Sequence, residues 1–250
     1  MNAMTMPDTA AATAAAQPFF SVRDIHAYYG ESYIVQGVSF DVAEGDVVAL
    51  LGRNGAGKTS TLRALARARD PELKGGEIWL NGEPIHKLRD FQAAQRGIQL
   101  VQEDRRIIPG LTVEENLQLA QIAEPKGWPL EQIYEHFPRL AERRKQEGVT
   151  LSGGEQQMLA VARALARDLK LLLLDEPYEG LAPVIVQDLL ATCRNLADAG
   201  QTIVVVEQNI SAALTLADRV YIINNGHIVE SLTTQAVTKQ PDILQRHLGV

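Results

Sequence analysis

The sequence predicts an α/β fold: a mostly parallel sheet flanked by helices, with an N-terminal antiparallel β part and a helical subdomain insert. After Leu151, helix-like and strand-like segments alternate, which is the order that a parallel sheet with helices on its faces requires. Apolar runs such as Val47–Leu51 have the length of strands that are buried on both faces. The 250 residues, 46% hydrophobic and 22% charged, suffice for a core, and we expect residues 19–250 to form a single domain.

The first part of this domain is predicted to be mostly β-structure. From residue 19 to about residue 88, short β-like runs alternate with turns, and Tyr33–Val42 and Glu77–Leu80 are examples. The strand Val47–Leu51 leads into a glycine-rich turn, and a helical stretch, Thr59–Ala68, follows that turn.

The helical insert is predicted over about residues 91–150, where β-branched runs are few and helix-forming residues are many. Its predicted helices are Val113–Ala123, Leu130–Phe137 and Arg139–Glu147. The elements predicted after the insert are, in order, the helix Glu155–Arg167, the strand Leu171–Leu174, the helix Val184–Ala199 and the strand Thr202–Val206.

The composition argues against several classes of protein. No apolar run approaches the roughly 18 residues that a membrane-spanning helix needs. The net charge of −7 argues against a dedicated nucleic-acid binder. The single cysteine, Cys193, suits a reducing compartment, and we expect it to be a small buried apolar residue. Residues 1–18 lack the basic and apolar regions of a secretory signal, so we interpret them as a disordered lead-in to a cytoplasmic chain.

A phosphate-binding loop follows the first buried strand. The residues Gly52-Arg53-Asn54-Gly55-Ala56-Gly57-Lys58-Thr59 match the pattern G-x-x-x-x-G-K-[ST]. Glycines let successive backbone N–H groups converge on a phosphate, and the following helix directs its positive end at the same group. We expect Lys58 to reach the β- and γ-phosphates and the Thr59 hydroxyl to bind Mg²⁺. The loop predicts the core of a P-loop nucleoside triphosphatase, with nucleotide contacts that extend to Ser60.

Two carboxylates follow the second buried strand. Asp175 and Glu176 come directly after Leu171–Leu174, at the strand end where open parallel sheets bind ligands. Asp175 is suited to hold Mg²⁺ opposite Thr59, through a bound water. Glu176 is suited to polarise the water that attacks the γ-phosphate.

A second anion-binding helix start is predicted at Leu151-Ser152-Gly153-Gly154-Glu155. A plain helix with a serine cap would explain the same residues. A chain with one γ-phosphate does not need two such sites, whereas two chains that face each other head to tail do.

The phosphate loop, then LSGGE, then the leucine-rich strand with Asp-Glu resemble the ATPase subunit of ABC transporters over nearly all of residues 19–250. The resemblance implies that this subunit and a second ATPase subunit, a further copy or a paralogue, enclose two ATP molecules. Each ATP would lie between the phosphate loop of one subunit and the signature of the other. The signature residues here are Ser152, Gly153, Gly154 and Glu155.

The resemblance implies further site residues. An aromatic residue before a glycine stacks on adenine in this family, and Tyr29 fits better than Tyr28. Family members carry a glutamine near Mg²⁺ at the start of the helical insert; here Gln102 and Glu103 are both candidates, and the register favours Glu103. Gln208 stands where most members have a histidine that contacts the γ-phosphate, and it is the third candidate catalytic residue beside Lys58 and Glu176.

A subgroup of the family is also indicated. The Arg105-Arg106 pair, the loop Gly180-Leu181-Ala182-Pro183, the run Val206–Asn209 and the terminal Leu248-Gly249-Val250 resemble the smaller ATPase subunits of importers for branched-chain amino acids. Urea and short amides are the alternative substrates, and an exporter ATPase or a soluble ABC ATPase are the alternative functions. The resemblance implies two integral membrane permease subunits that dock around residues 103–111, an extracytoplasmic solute-binding protein as an indirect partner, no nucleic acid, and a peripheral place on the cytoplasmic face of the inner membrane.

Overall fold

The N-terminal part of the chain is an antiparallel sheet. The computed structural model describes residues 18–123, 126–239 and 242–249, so the lead-in expected at residues 1–18 lies outside the described residues except for Pro18. The strands of this sheet are β1 (Phe20–Tyr29), β2 (Ser32–Val42), β4 (Glu72–Leu80) and β5 (Glu83–Pro84). Their order is β2-β1-β4-β5, and every pairing is antiparallel.

The central sheet has six strands and is mostly parallel, as predicted. Its strands are β3 (Val47–Leu51), β6 (Ile98–Val101), β7 (Leu171–Asp175), β8 (Thr202–Glu207), β9 (Arg219–Asn224) and β10 (His227–Thr233). Their order is β10-β9-β3-β8-β7-β6, and only the edge strand β10 runs antiparallel to its neighbour. Every residue of β3, β7 and β8 is buried, which is why these strands are continuous apolar runs.

Helices cover both faces of the central sheet. They are α1 (Lys58–Leu65), α2 (Asp90–Gln95), α3 (Val113–Ala123), α4 (Leu130–His136), α5 (Pro138–Glu142), α6 (Gly153–Leu165), α7 (Pro183–Asp198), α8 (Ile210–Leu216), α9 (Thr234–Lys239) and α10 (Asp242–Leu248). In the described part of the chain, none of these helices combines the length and the apolar character that crossing a membrane would take.

The predicted start of the helical insert, at about residue 91, is wrong. Residues 98–101 form β6, an edge strand that pairs in parallel with β7, so the helices of the insert begin only at Val113. The buried Gln99 in this strand donates its amide to the carbonyl of Ala94 at 3.0 Å. A strand of four residues with a polar residue inside it is stabilised by pairing with β7, which its own sequence does not reveal.

The third predicted helix of the insert is also shorter than expected. The prediction was Arg139–Glu147, but α5 ends at Glu142. Beyond that residue the backbone turns to meet the start of α3, where the N–H of Val113 donates to the carbonyl of Gln146 at 2.9 Å. A tertiary contact therefore replaces the last turn of helix that local propensity favours.

The apolar core lies on both faces of the central sheet. One face carries Val48, Leu50 and Leu173 and packs with α1 and the N-terminal sheet. The other carries Leu51 and Leu174 and packs with α6, α7 and α8. Cys193 of α7 is fully buried in this second layer, as predicted. Because β7, β8 and β3 are neighbours with the same direction, their carboxyl ends bring three loops to one edge of the sheet.

Candidate functional site

The phosphate loop lies between β3 and α1, where the sequence placed it. Helix α1 begins at Lys58, and its cap, Gly57, has a left-handed backbone with φ of 100°. A side chain at Gly52 is excluded, because its Cβ would lie 2.5 Å from the carbonyl oxygen of Ile223. Arg53, Asn54 and Gly55 are exposed at the tip of the loop, whereas Ala56, Gly57 and Lys58 are buried and Thr59 and Ser60 are half-buried.

A turn between β9 and β10 supports this loop from behind. The N–H of Gly226 donates to the carbonyl of Ala56 at 2.8 Å, and the N–H of Gln36 donates to the carbonyl of Gly226 at 2.9 Å. Sequence analysis missed this support. The Asn225-Gly226 pair is a readable turn signal, but only the fold shows that the turn lies against the phosphate loop.

The three candidate catalytic residues meet at the mouth of the loop. The Nζ of Lys58 lies 3.3 Å from Oε1 of Glu176, and it also donates to the carbonyl of Arg53 at 3.4 Å. The amide of Gln208 donates to the other carboxylate oxygen of Glu176 at 2.6 Å. Both charged side chains are largely removed from water, with exposed fractions of 4% for Lys58 and 12% for Glu176. This ion pair places the carboxylate against the lysine that is predicted to bind phosphate.

Glu176 has an unusual backbone conformation. Its φ is 44°, in the left-handed region that non-glycine residues seldom adopt, and its N–H donates to the carbonyl of Val206 at 3.0 Å. Such a conformation costs about 1–2 kcal/mol and is held by the surrounding structure. In this backbone conformation the chain departs from the direction of β7, and the Glu176 carboxylate contacts Lys58 and Gln208.

Asp175 and Thr59 also meet, as the sequence predicts. The Thr59 hydroxyl donates to Oδ1 of Asp175 at 2.7 Å. The second oxygen, Oδ2, is buried and has no hydrogen-bond partner among the described residues. Burial raises the pKa of Asp175, and the charges of Glu176 and Glu103 raise it further, against the opposing effects of Thr59 and Arg63.

These residues fit a divalent cation. Hydroxyl and carboxylate oxygens are the ligands that Mg²⁺ prefers. A cation bound to Oδ2 of Asp175 would stabilise the charged form of this carboxylate. No cluster of three histidine, cysteine or acidic side chains that could bind a metal occurs within residues 18–123, 126–239 and 242–249. An Mg²⁺ ion held by Thr59 and Asp175 would therefore depend on phosphate oxygens and water for its other ligands.

The two candidates at the start of the insert lie in different surroundings. Glu103 is exposed, and its charge acts on Asp175. Gln102 is half-buried and lines a cavity with Arg106 and Arg167. Of the two side chains, Glu103 is therefore the one whose charge acts on the carboxylate pair.

The signature forms the start of α6. Ser152 caps the helix, and its N–H and hydroxyl donate to Glu155 at 3.0 and 2.7 Å. Glu155 is buried and pairs with Arg143 at 2.7 Å, so its carboxylate supports the loop rather than facing a ligand. Burial raises the pKa of Glu155, but Ser152 and Arg143 outweigh that effect and leave it lowered. A Cβ at Gly154 would lie 2.1 Å from Cγ2 of Ile185, so a larger residue there requires the Ile185 side chain to move.

The signature and the phosphate loop are not joined within the chain. Among the described residues, no hydrogen bond or ion pair links Ser152 or Glu155 to the residues from Gly52 to Ser60. The two candidate anion sites are thus separately built, the first after β3 and the second at the start of α6.

The two tyrosines at the end of β1 differ in their contacts. The ring of Tyr28 stacks on the ring of Tyr33 with centroids 4.5 Å apart, and Nζ of Lys74 lies over the Tyr28 ring, 4.9 Å from its centroid. Tyr29 is half-buried at the last position of the strand. Because Tyr28 already has a stacking partner, the structure favours Tyr29 as the residue that is available to a base.

Sequence analysis missed two further features of the site. The first is Glu207, the last residue of β8, which is buried and accepts hydrogen bonds from the N–H groups of Tyr178, Gln208 and Asn209. Burial raises its pKa to about 7. The second is the C-terminal end of α10, where Leu248 helps to line a cavity of about 250 Å³ beside the phosphate loop. Both residues lie in segments that indicate the subgroup, but only the fold shows the contacts that they make.

Fold and site together define a P-loop ATPase with a helical insert. The family model described as "ABC transporter" matches residues 35–179. A branched-chain amino acid transport ATP-binding protein of Pseudomonas aeruginosa, BraG, is 41% identical over 90% of this chain and 97% of its own. The chain therefore belongs to the ABC transporter family, and it is an ATP-binding, ATP-hydrolysing subunit of that family.

The chain is also similar to an exporter subunit and to a solved ATP-binding cassette. The lipopolysaccharide export ATP-binding protein LptB of Haemophilus influenzae is 33% identical over 88% of this chain and 93% of its own. The ADP conformation of an ATP-binding cassette of an ABC transporter superposes with a TM-score of 0.80 at 23% identity, over 94% of this chain and 100% of that one. At that identity the superposition supports the fold alone.

Proposed function

We propose that this chain powers an importer of branched-chain amino acids. The observation that carries the proposal is the 41% identity to BraG over nearly the whole of both chains, against 33% for LptB, whose name describes an exporter. Urea or a short amide is the alternative substrate for the same kind of importer. The transported solute would be chosen by the other subunits of the transporter, because the site described above is built for a nucleotide.

The phosphate loop would bind ATP through its backbone N–H groups, with Lys58 on the β- and γ-phosphates and Tyr29 on adenine. Lys58 pairs with Glu176 at 3.3 Å. When a γ-phosphate binds, Lys58 would contact the phosphate instead of Glu176. The Glu176 carboxylate would then be available to the water that attacks the γ-phosphate. Bound Mg²⁺ would neutralise the negative charge that develops on the phosphate oxygens, and Thr59, Asp175 and Glu103 are the residues suited to hold it.

Glu176 would accept the proton of the attacking water, and Gln208 would hold that carboxylate in place. Gln208 donates a hydrogen bond to Glu176 but does not titrate near neutral pH, so the glutamate is the only one of the two that suits the role of base. The strained backbone of Glu176 supports the same assignment, because residues held in such conformations cluster at active sites.

The proposed partners follow from the separation of the phosphate loop and the signature within one chain. Ser152 and Gly154 would contact the ATP bound by a second ATPase subunit, either another copy or a paralogue, and ATP would close the pair. Two integral membrane permease subunits would receive this motion near residues 103–111, with an extracytoplasmic solute-binding protein as an indirect partner. We expect no nucleic acid among the partners. The chain would lie on the cytoplasmic face of the inner membrane as a peripheral subunit.

The assignment of the base is tested by Glu176→Gln. We expect ATP binding to persist and ATP hydrolysis to fall by about a hundredfold or more, because the amide has no proton-accepting oxygen of comparable basicity. Glu179→Gln is a matched control, since Glu179 is exposed in the same loop. A Glu176→Gln variant that hydrolyses ATP at the rate of the control would contradict the assignment.

The transport role needs a separate experiment. The tagged chain would be purified from gently solubilised membranes, and the proteins that accompany it would be identified by mass spectrometry. We expect two polytopic membrane subunits and a second ATPase subunit, and the companion solute-binding protein would then be titrated with leucine and with urea. A chain that recovers no membrane protein would leave only the ATPase chemistry standing.

A further inference from the structure

Four side chains in contact with one another lie beside the hairpin that joins β1 to β2 and carries Tyr29. We call them the hairpin brace, and they are Asp24, His26, Tyr28 and Tyr33. The residues on either side of His26 along β1 are fully buried in the apolar core. Because side chains alternate between the two faces of a strand, the brace lies on the opposite, solvent-facing side of the N-terminal sheet.

Hydrogen bonds join three members of the brace in a line. Nε2 of His26 lies 3.2 Å from Oδ1 of Asp24, and Nδ1 of the same ring is bonded to the hydroxyl of Tyr33. A carboxylate only accepts hydrogen bonds, so in the neutral ring Nε2 carries the hydrogen and the Tyr33 hydroxyl donates to Nδ1. Desolvation raises the pKa of Tyr33, and Tyr28 and Asp24 raise it further, which keeps this donor protonated.

Stacking joins the fourth member to this line. The rings of Tyr28 and Tyr33 are nearly parallel, at 8°, and their centroids are 4.5 Å apart. Nζ of Lys74, which belongs to the strand on the other side of β1, lies 4.9 Å from the centroid of the Tyr28 ring. Contacts of both kinds stabilise a structure beyond the area that they bury. The ring of Tyr28 is therefore held from both neighbouring strands.

The brace spans an irregular part of the pairing between β1 and β2. The register shifts between Ala27 and Tyr28, so the two residue pairs nearest the hairpin are set apart from the rest of the ladder. His26 lies on one side of this irregularity, and Tyr33, which pairs with Tyr28, lies on the other. Their hydrogen bond therefore joins the end of the hairpin to the body of the sheet at a point where the backbone ladder is interrupted.

The backbone around Asp24 and His26 leaves room for their side chains. Asp24 has φ of 49°, a left-handed conformation that non-glycine residues seldom adopt. A Cβ at Gly37 of β2 would lie 3.0 Å from Oδ1 of Asp24. On the other side, a Cβ at Gly75 of β4 would lie 3.2 Å from Cδ2 of His26. Glycines on both neighbouring strands thus allow the pair to lie close to the backbone of the sheet.

We propose that the brace is a positioning element for ATP binding, in which Tyr33 fixes the hairpin so that Tyr29 meets the adenine ring. The inference rests on the proposed function, which assigns Tyr29 to adenine. Tyr28 and Tyr29 are consecutive at the end of β1, so holding the ring of Tyr28 also restrains the backbone from which Tyr29 projects. A hairpin that is already ordered does not have to be ordered when the base binds, and that saving raises affinity.

Two ligands that share a triphosphate test this role. ATP carries the base, and inorganic tripolyphosphate does not. We expect Tyr33→Ala to weaken ATP binding by about fivefold and to leave tripolyphosphate binding unchanged, since the lost stack affects only the base contact. Tyr33→Phe keeps the ring but loses the bond to His26, so it should weaken ATP binding by only about twofold. Calorimetric titration of the full chain with Mg²⁺ present measures both ligands.

Trp79→Ala is the matched control. Trp79 is another aromatic residue of the N-terminal sheet, but it pairs with Ser21, at the end of β1 away from the hairpin. This variant should bind both ligands as the parent chain does. In steady-state ATPase assays, Tyr33→Ala should raise the KM for ATP by about fivefold with little change in kcat, because a base contact acts equally in the ground state and the transition state.

A double variant tests whether Tyr33 acts through Tyr29. Tyr29→Ala should weaken ATP binding by about tenfold, the effect of losing one base stack. If Tyr33 acts through Tyr29, adding Tyr33→Ala to this variant should cause no further loss of ATP affinity. Two losses that simply multiply would show that Tyr33 contributes independently of Tyr29, and they would overturn the proposal.

The remaining outcomes separate the brace from the proposed function. Unchanged ATP affinity in Tyr33→Ala, together with a loss in Tyr29→Ala, refutes the brace and leaves the adenine contact standing. Equal weakening of ATP and tripolyphosphate binding by Tyr33→Ala also refutes it, because the change would then have reached the phosphate loop. If Tyr29→Ala binds ATP as tightly as the parent chain, the assignment of Tyr29 to adenine fails and the brace fails with it, whereas the role of Glu176 in hydrolysis stands on its own test.

Discussion

Glu176 depends on neighbours that come from distant parts of the chain. Its carboxylate contacts Lys58 at the start of α1 and Gln208 after β8, and its backbone is fixed to Val206. Glu207 then joins the loop after Glu176 to the loop that carries Gln208, because it accepts N–H groups from both. One buried carboxylate therefore sets the distance between the two loops that form the catalytic pair.

Glu207 is predicted to make the stability of the chain depend on pH. Burial raises its pKa from 4.5 to about 7, so between these values the folded chain holds a proton that the unfolded chain has lost. The free energy of unfolding should consequently fall as the pH rises from about 4.5 to about 7, by up to about 3 kcal/mol, and this contribution should stay constant above that range. Glu207→Gln, which cannot ionise, should remove the fall.

Urea unfolding of both proteins at pH 5, 6, 7 and 8 measures this effect. Glu179→Gln serves as the control, because its exposed carboxylate should leave the pH profile of the parent unchanged. Equal slopes in Glu207→Gln and in the parent chain would show that another group is responsible for the pH dependence.

At the scale of the element, the β9–β10 turn is predicted to be part of the ATP site. Gly226 has φ of 79°, and a Cβ would lie 2.2 Å from the carbonyl oxygen of Ile34. Gly226→Ala should therefore lower the free energy of unfolding by about 2–4 kcal/mol and weaken ATP binding, since the turn holds the carbonyl of Ala56.

Gly200→Ala separates backbone strain from the clash. Gly200 also has a positive φ, of 90°, but no atom lies within 4 Å of the added Cβ. Strain alone should cost about 1 kcal/mol there and leave ATP affinity unchanged. Thermal unfolding measures the stability of both variants, and nucleotide titration measures their affinity for ATP. Equal losses of ATP affinity in Gly226→Ala and Gly200→Ala would contradict the prediction that the β9–β10 turn is part of the ATP site.

The elements that sequence predicts well are those whose signals are local. Helix α3 has the predicted bounds, Val113–Ala123, and Thr112 and Glu115 cap it through reciprocal hydrogen bonds. The phosphate loop and the signature are likewise contiguous motifs. By contrast, β6 is a strand through its pairing with β7, and the helix predicted to end at Glu147 stops at Glu142 because the chain turns back to α3.

The same distinction applies to the site. Lys58, Glu176 and Gln208 could be named from the sequence because each lies in or beside a recognisable motif, and the structure brings them together. Gly226 and Glu207 could not be named, since their roles consist of contacts across the fold. Gln102 and Glu103 both stay candidates, and only the fold shows that these adjacent residues lie in different surroundings.

At the scale of the whole molecule, we predict a head-to-tail pair from the two candidate anion sites of one chain. If each ATP lies between one phosphate loop and the other signature, two differently inactivated chains should complement each other. Lys58→Ala removes the phosphate contact. Ser152→Asp keeps a residue that caps helices well but adds a negative charge where a γ-phosphate would bind. Each variant alone should hydrolyse ATP very slowly.

A mixture of the two variants should regain activity, because a mixed pair contains one intact site: the loop of the Ser152→Asp chain and the signature of the Lys58→Ala chain. Random pairing makes half of the pairs mixed, so an equal mixture should reach about a quarter of the activity of the parent chain. Steady-state ATPase rates over a range of mixing ratios measure this, with circular dichroism to show that both variants fold. A mixture no more active than its components would mean that two copies of this chain do not form the composite site. The predicted pair would then consist of this chain and a paralogue.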